Sequence, residues 1–111
     1  MVTWPALIKF RGDDELVYIS DLAEWNGDAD LHFFEYDPLD ILIDASGLIH
    51  HLNNQHHDAV VPEPTKDLIE LGVAIDLIKA HFSALGSCCA AKISARSVAE
   101  LIDFVGFDSF S

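Results

Sequence analysis

Ile41-Leu42-Ile43-Asp44-Ala45-Ser46-Gly47-Leu48-Ile49-His50 is the stretch that decides how this chain folds. Two apolar runs rich in β-formers flank four turn-forming residues. Asp at the first and Gly at the fourth position of 44–47 suit a type I turn, with Gly47 taking the left-handed backbone conformation after it. The segment predicts a β-hairpin.

Upstream, Ala6-Leu7-Ile8-Lys9-Phe10 and Leu16-Val17-Tyr18-Ile19 stand at hairpin distance across the polar cluster Arg11-Gly12-Asp13-Asp14-Glu15. Asp21 to Trp25 reads as one helical turn ended by Asn26-Gly27, and the aromatic run Leu31 to Tyr36 as a strand. Downstream, residues 53–64 carry no periodicity and read as a loop, with Ala59-Val60-Val61 adding an edge strand.

The second half changes period. Leu68, Leu71, Ile75, Ile78, Phe82 and Leu85 follow steps of three and four, one stripe of a helix. Thr65 suits its N-cap, Asp67 and Glu70 its first turns, and Gly86 its stop. Gly72 interrupts that pattern at a cost of about 1 kcal/mol in a helix interior. Residues 66–85 are therefore either one helix or a strand near Asp67 to Leu71 followed by a helix from Val73. Ser87 to Ile93 reads as a short buried strand. Ser97-Val98-Ala99-Glu100 is a capping box that opens a helix with Val98, Leu101, Ile102 and Val105 on one face, ended by Gly106. The fold class expected is α+β: a mostly antiparallel sheet built from hairpins, with the two helices of the C-terminal half packed on one face, in a single domain over residues 1–111.

Charge narrows the partners. Nineteen Asp and Glu against six Lys and Arg give a formal charge of −13. Such a surface repels phosphate backbones and anionic lipid, so neither nucleic acid nor membrane is expected as partner. Half the residues are apolar or aromatic, which argues for a packed core rather than disorder. The N-terminus has no basic region of a signal peptide, and no apolar run approaches the roughly 20 residues of a membrane span. The only cysteines, Cys88 and Cys89, are adjacent and form no disulfide framework. The expectation is a cytoplasmic protein.

Several residues carry chemistry. His50, His56, His57 and Asp58 could hold a metal ion, although His50 and His51 would point to opposite faces of a strand and no established zinc spacing is present. His81 with Cys88 or Cys89 has the composition of a nucleophile pair, with a buried structural cysteine as the plainer reading. Asp13 and Asp14 with Glu15 form a carboxylate run that could share a proton or fan into solvent. Asp28 and Asp30 resemble a calcium loop in composition only. Lys92 lies within an apolar run and needs a partner or an exit to water. No phosphate loop, Ser-His-Asp signature or nucleophile elbow appears, and no cofactor is implied.

Trp4-Pro5-Ala6-Leu7-Ile8-Lys9-Phe10 and Gly12-Asp13-Asp14-Glu15-Leu16-Val17-Tyr18, with Lys79-Ala80-His81, Cys88-Cys89-Ala90-Ala91-Lys92 and the Ser97 helix, together resemble a family of small bacterial domains of about this length whose function is unassigned. The resemblance covers nearly the whole chain. It also implies aspartate-driven self-cleavage near the C-terminus and a lysine–aspartate amide cross-link. On this chain Lys92 matches the lysine after the paired cysteines, and Asp108 is the nearest tail acid, followed by only three residues. The acid that would activate water is left open among Asp13, Asp14 and Asp44. The leading expectation is a non-enzymatic module acting through protein contacts, including with a second copy of itself, anchored by aromatics such as Trp4, Trp25 or Phe33. Self-processing and metal binding are the alternatives.

Overall fold

The computed structural model describes residues 1–53, 55, 56, 59–86 and 93–109. In chain order the elements are β1 (Ala6–Lys9), β2 (Leu16–Ile19), α1 (Leu22–Gly27), α2 (Ala29–Phe33), β3 (Ile41–Asp44), β4 (Leu48–His51), β5 (Gln55–His56), β6 (Ala59–Val60), β7 (Glu63–Leu68), α3 (Leu71–Ala84) and α4 (Val98–Ser109). The decisive hairpin forms. Ile43 pairs with Ile49 and Leu42 with His50, the Gly47 amide donates to the Asp44 carbonyl at 2.9 Å, and Gly47 has φ +88°. The turn composition requires that last value.

β1 sits between its hairpin partner β2 and β3, and β7 joins the far side of β4. The sheet order is β2-β1-β3-β4-β7, with every pairing antiparallel. Alternation along the strands divides the core in two. On one face Leu7 and Leu16 meet Ala74, Ile78 and Phe82 of α3 and Leu101, Ile102 and Val105 of α4. On the other, Ala6, Ile8, Ile19 and Leu42 meet Trp25 of α1, Leu52, and Val60 of β6. The architecture is α+β with the C-terminal-half helices on one face, and the opposite face carries the short helices and the β5–β6 hairpin.

Four local readings change. Leu31 to Tyr36 is not a strand: Asp28 accepts the Asp30 N–H at 3.0 Å and caps α2, which runs to Phe33 before the chain extends. The 66–85 segment divides, but earlier than Gly72. Pairing of β7 with β4, continued by the Ile69 N–H to the Gly47 carbonyl at 2.9 Å, consumes the backbone groups a helix would need, and α3 starts at Leu71. Thr65 therefore caps no helix; its hydroxyl donates to the Ile49 carbonyl at 2.7 Å from within β7. Gly106 does not end α4, which continues to Ser109. Its missing side chain admits the Tyr18 ring, since a Cβ there would lie 2.4 Å from Tyr18 Cε2.

A fifth reading changes too: residues 53–64, read as a loop with an edge strand at 59–61, hold the paired β5 and β6 and the first residues of β7. The remaining turn and cap signals act as read. Gly86, φ +79°, closes α3. Ser97 Oγ accepts the Glu100 N–H at 3.2 Å, while the Glu100 carboxylate turns to the Arg96 N–H rather than completing the reciprocal box. The expected strand from Ser87 falls, up to residue 92, outside the described residues. Among the described residues, no helix is long and apolar enough to cross a membrane.

Candidate functional site

Two loops at one end of the sheet build an open cleft of about 480 Å³. One is the β1–β2 turn and the other joins α2 to β3. The β1–β2 turn closes through the Asp13 N–H to the Phe10 carbonyl, 3.1 Å, and Lys9 Nζ folds back onto the carbonyls of Phe10 and Asp13. The loops are fastened by the buried Asp40 carboxylate. One of its oxygens accepts the Arg11 N–H at 2.7 Å and the other the Asp37 N–H at 2.8 Å. Asp37 in turn accepts the Leu39 N–H at 2.9 Å and the Arg11 guanidinium at 3.2 Å. The Leu39 hydrogen bond, aided by Arg11 and opposed by desolvation, holds the Asp37 carboxyl below the usual carboxylate range.

An aromatic trio forms the apolar wall. Phe34 stands edgewise against Phe10, with centroids 5.2 Å apart, and against Tyr36, 4.9 Å apart; Phe10 stacks on Tyr36 at 6.2 Å. The Tyr36 hydroxyl donates to the Leu31 carbonyl at 2.7 Å. Burial, reinforced by the negative charges of Asp28 and Asp40, pushes its pKa up to about 12. Phe10 and Tyr36 pack on the core and are half-buried, while Phe34 stays 49% exposed. Phe34 and Glu35 also line a second hollow of about 300 Å³ with Leu52 and Val60, so they form a ridge shared by two depressions. Phe33 and Leu39, close in sequence, are exposed as well.

The strongest polar cluster of the core lies elsewhere and is closed. Asp44, fully buried, accepts the Thr3 N–H at 3.2 Å and His50 Nε2 at 2.9 Å on one oxygen. The other takes the Ser46 N–H, the Ser46 hydroxyl and the Leu48 N–H at 2.9, 2.5 and 3.1 Å. Desolvation pushes the Asp44 carboxyl upward, but the hydrogen bonds from Ser46, His50 and Thr3 outweigh it and leave it lowered. The residue types are those of a Ser-His-Asp triad in the wrong order, because Ser46 bonds the acid and not the imidazole. The arrangement locks the β3–β4 turn.

Comparison with known proteins places the chain. Residues 4–105 match the model of a family described as a protein structure with unknown function. The chain belongs to the DUF4144 family. This DUF4144 chain is also similar to a protein from Shewanella amazonensis solved by NMR, at 27% identity and a TM-score of 0.69, over 96% of this chain and 90% of that one. No curated protein matches.

Within this DUF4144 fold the sequence-predicted residues scatter. Asp13 and Asp14 are exposed in the β1–β2 turn; Asp13 lines the cleft and accepts the Glu15 N–H at 3.0 Å. His50 is sealed against Asp44, and its Nδ1 has no hydrogen-bond partner among the described residues. His51 lies on the opposite sheet face and is exposed. His56 falls in β5, whereas His57, Asp58, Cys88, Cys89 and Lys92 lie outside the described residues. Among the described residues no group of three or more His, Cys, Asp or Glu is placed to hold a metal ion. Asp108 is in the last turn of α4. His81 is buried, and its Nδ1 accepts the Leu16 N–H at 2.8 Å. Of the aromatics expected as anchors, Trp25 is core, Trp4 is half-buried and Phe33 is exposed. Sequence reasoning missed Phe34, Glu35, Asp37 and Asp40 as a group. Their signal was the aromatic–acidic alternation of Phe34-Glu35-Tyr36-Asp37, which a strand reading absorbed.

Proposed function

We propose that this chain is a non-enzymatic protein-interaction module that docks a partner on the Phe34–Glu35 ridge. The observation that carries this reading is Phe34 itself, half in water yet clamped by two neighbouring rings. A large side chain ordered before contact loses little entropy on binding, and aromatics of this kind dominate interface energetics. Four buried carboxylates and imidazoles support the reading indirectly, since Asp40, Asp44, His32 and His81 are engaged with backbone groups, and the buried His50 is sealed against Asp44 away from the surface. A charge of −13 favours a protein partner over nucleic acid or anionic membrane, and opposes pairing with a second copy. Adjacent cysteines without a disulfide framework fit work in the cytoplasm.

Photo-cross-linking tests this. A benzoylphenylalanine at Phe33 should give a discrete adduct with one protein species in the native host, and Phe34→Ala should abolish it. The same probe at Asp76, exposed on α3 across the sheet, should give none. Equal adducts from both sites, or an adduct indifferent to Phe34→Ala, overturns the reading. Light scattering that shows a dimer dispersed by Phe34→Ala would assign the ridge to self-association instead.

A further inference from the structure

We infer that the partner segment carries an arginine, seated with its guanidinium over the Phe34 ring and against the carboxylates of Glu35 and Asp13. The inference rests on the interaction reading above and names the chemistry of its partner. The acids of the cleft fall into two classes. Asp40 spends both oxygens on backbone N–H groups, and Asp37 spends both on Leu39 and Arg11. Glu35 is exposed and makes no side-chain hydrogen bond among the described residues, and Asp13 commits one oxygen, to Glu15.

The local cations cannot neutralise that surplus. Segments 9–15 and 33–40 hold six acids and only Lys9 and Arg11. Lys9 is bound to backbone carbonyls, and Arg11 to Asp37. An incoming cation therefore meets unspent carboxylate beside an exposed aromatic ring. Ammonium and guanidinium ions are both drawn to such a ring, but guanidinium alone is planar, stacks on the ring and can fork its N–H groups onto carboxylates. A second copy of the chain is a poor occupant. It brings the same −13 and two arginines, of which Arg11 already stands in the cleft.

The test is fluorescence anisotropy with a fluorescein-labelled peptide of alternating arginine and leucine, at an ionic strength of about 0.15 M, where long-range attraction is largely screened. Binding should saturate. A citrulline counterpart, matched in shape but uncharged, should bind at least about tenfold more weakly, and a lysine counterpart severalfold more weakly. Phe34→Ala changes no charge and should weaken binding about tenfold, Glu35→Gln severalfold, and Asp76→Asn not at all. Binding that ignores Phe34→Ala, or falls equally with Asp76→Asn, is diffuse electrostatics and overturns the inference. If the Phe33 cross-link to a cellular partner persists while the arginine peptide fails to bind, the arginine assignment falls and the interaction reading stands. If both fail, both fall.

Discussion

The two faces of the sheet are held by different physics. Under α3 and α4 the contacts are mainly aliphatic: leucine, isoleucine and valine at helical spacing, joined by Phe82, pack against Leu7 and Leu16, and His81 adds one buried tie to the Leu16 N–H. On the opposite face the elements are too short to be stabilised by propensity. α1 and α2 have six and five residues, and β5 and β6 two each. There, side chains are tied to backbone. Trp25 Nε1 donates to the Val60 carbonyl at 3.2 Å, and the Val60 N–H donates to His32 Nδ1 at 3.0 Å. His32 Nε2 lies 2.9 Å from the Trp25 carbonyl, which requires its proton on that nitrogen. One face is built by burying area and can tolerate volume-conserving change. The other is built by satisfying particular donors and acceptors, and a single deletion leaves several of them stranded.

The sharpest way to break that contrast is Trp25→Ala. It opens a cavity and unties Val60 together, and should cost about 3–5 kcal/mol in denaturant unfolding. Trp25→Phe should recover most of the packing while still losing the bond to Val60. Next comes Asp44→Ala, which strands His50 and the N–H groups of Thr3, Ser46 and Leu48, at about 3 kcal/mol. Because the Asp44 carboxyl is lowered in the folded chain, its ionised form stabilises the fold fully above the unfolded value of about 3.9. That contribution is lost as pH falls through this value toward the folded one. Stability measured from pH 6 to pH 2 should fall less steeply in Asp44→Asn than in the parent.

Two glycines of the aliphatic face refine the comparison. Gly106→Ala should destabilise by about 1–3 kcal/mol despite alanine's better helix propensity, because the new methyl enters the Tyr18 ring. Combining it with Tyr18→Ala should make the two effects non-additive. Gly72→Ala meets nothing within 4 Å and should stabilise by about 0.4–1 kcal/mol. Equal effects at the two positions would show that α4 does not press on Tyr18 in solution.

The aliphatic face was readable because periodicity reports burial when one residue type does the burying. Leu71, Ile75, Ile78 and Phe82 announce α3, and Gly86 its end. The start of α3 was not readable, since only long-range pairing with β4 turns residues 63–68 into strand, Thr65, Asp67 and Leu68 among them, which read locally as the start of a helix. Local pattern also failed at Gly106, where the constraint is a ring 88 residues earlier in the chain. The wired face left still less trace. No spacing rule says that His32 and Trp25 take the N–H and the carbonyl of one residue, Val60, or that Asp44 turns inward to His50. The cleft was half visible: Asp13 stood out as part of a charge run, whereas Phe34 and Glu35 looked like the interior of a strand. What makes them a site is the end of α2 at Phe33, where the backbone of Phe34 turns extended and sets Phe34 and Glu35 on the surface.

The Asp40 clamp has a kinetic consequence. With the two loops already fastened to one carboxylate, an arriving molecule finds a finished surface and waits for no loop rearrangement. Encounter is then governed by diffusion and by the long-range pull of this anionic molecule on a cation. Added salt should slow capture far more than it hastens release.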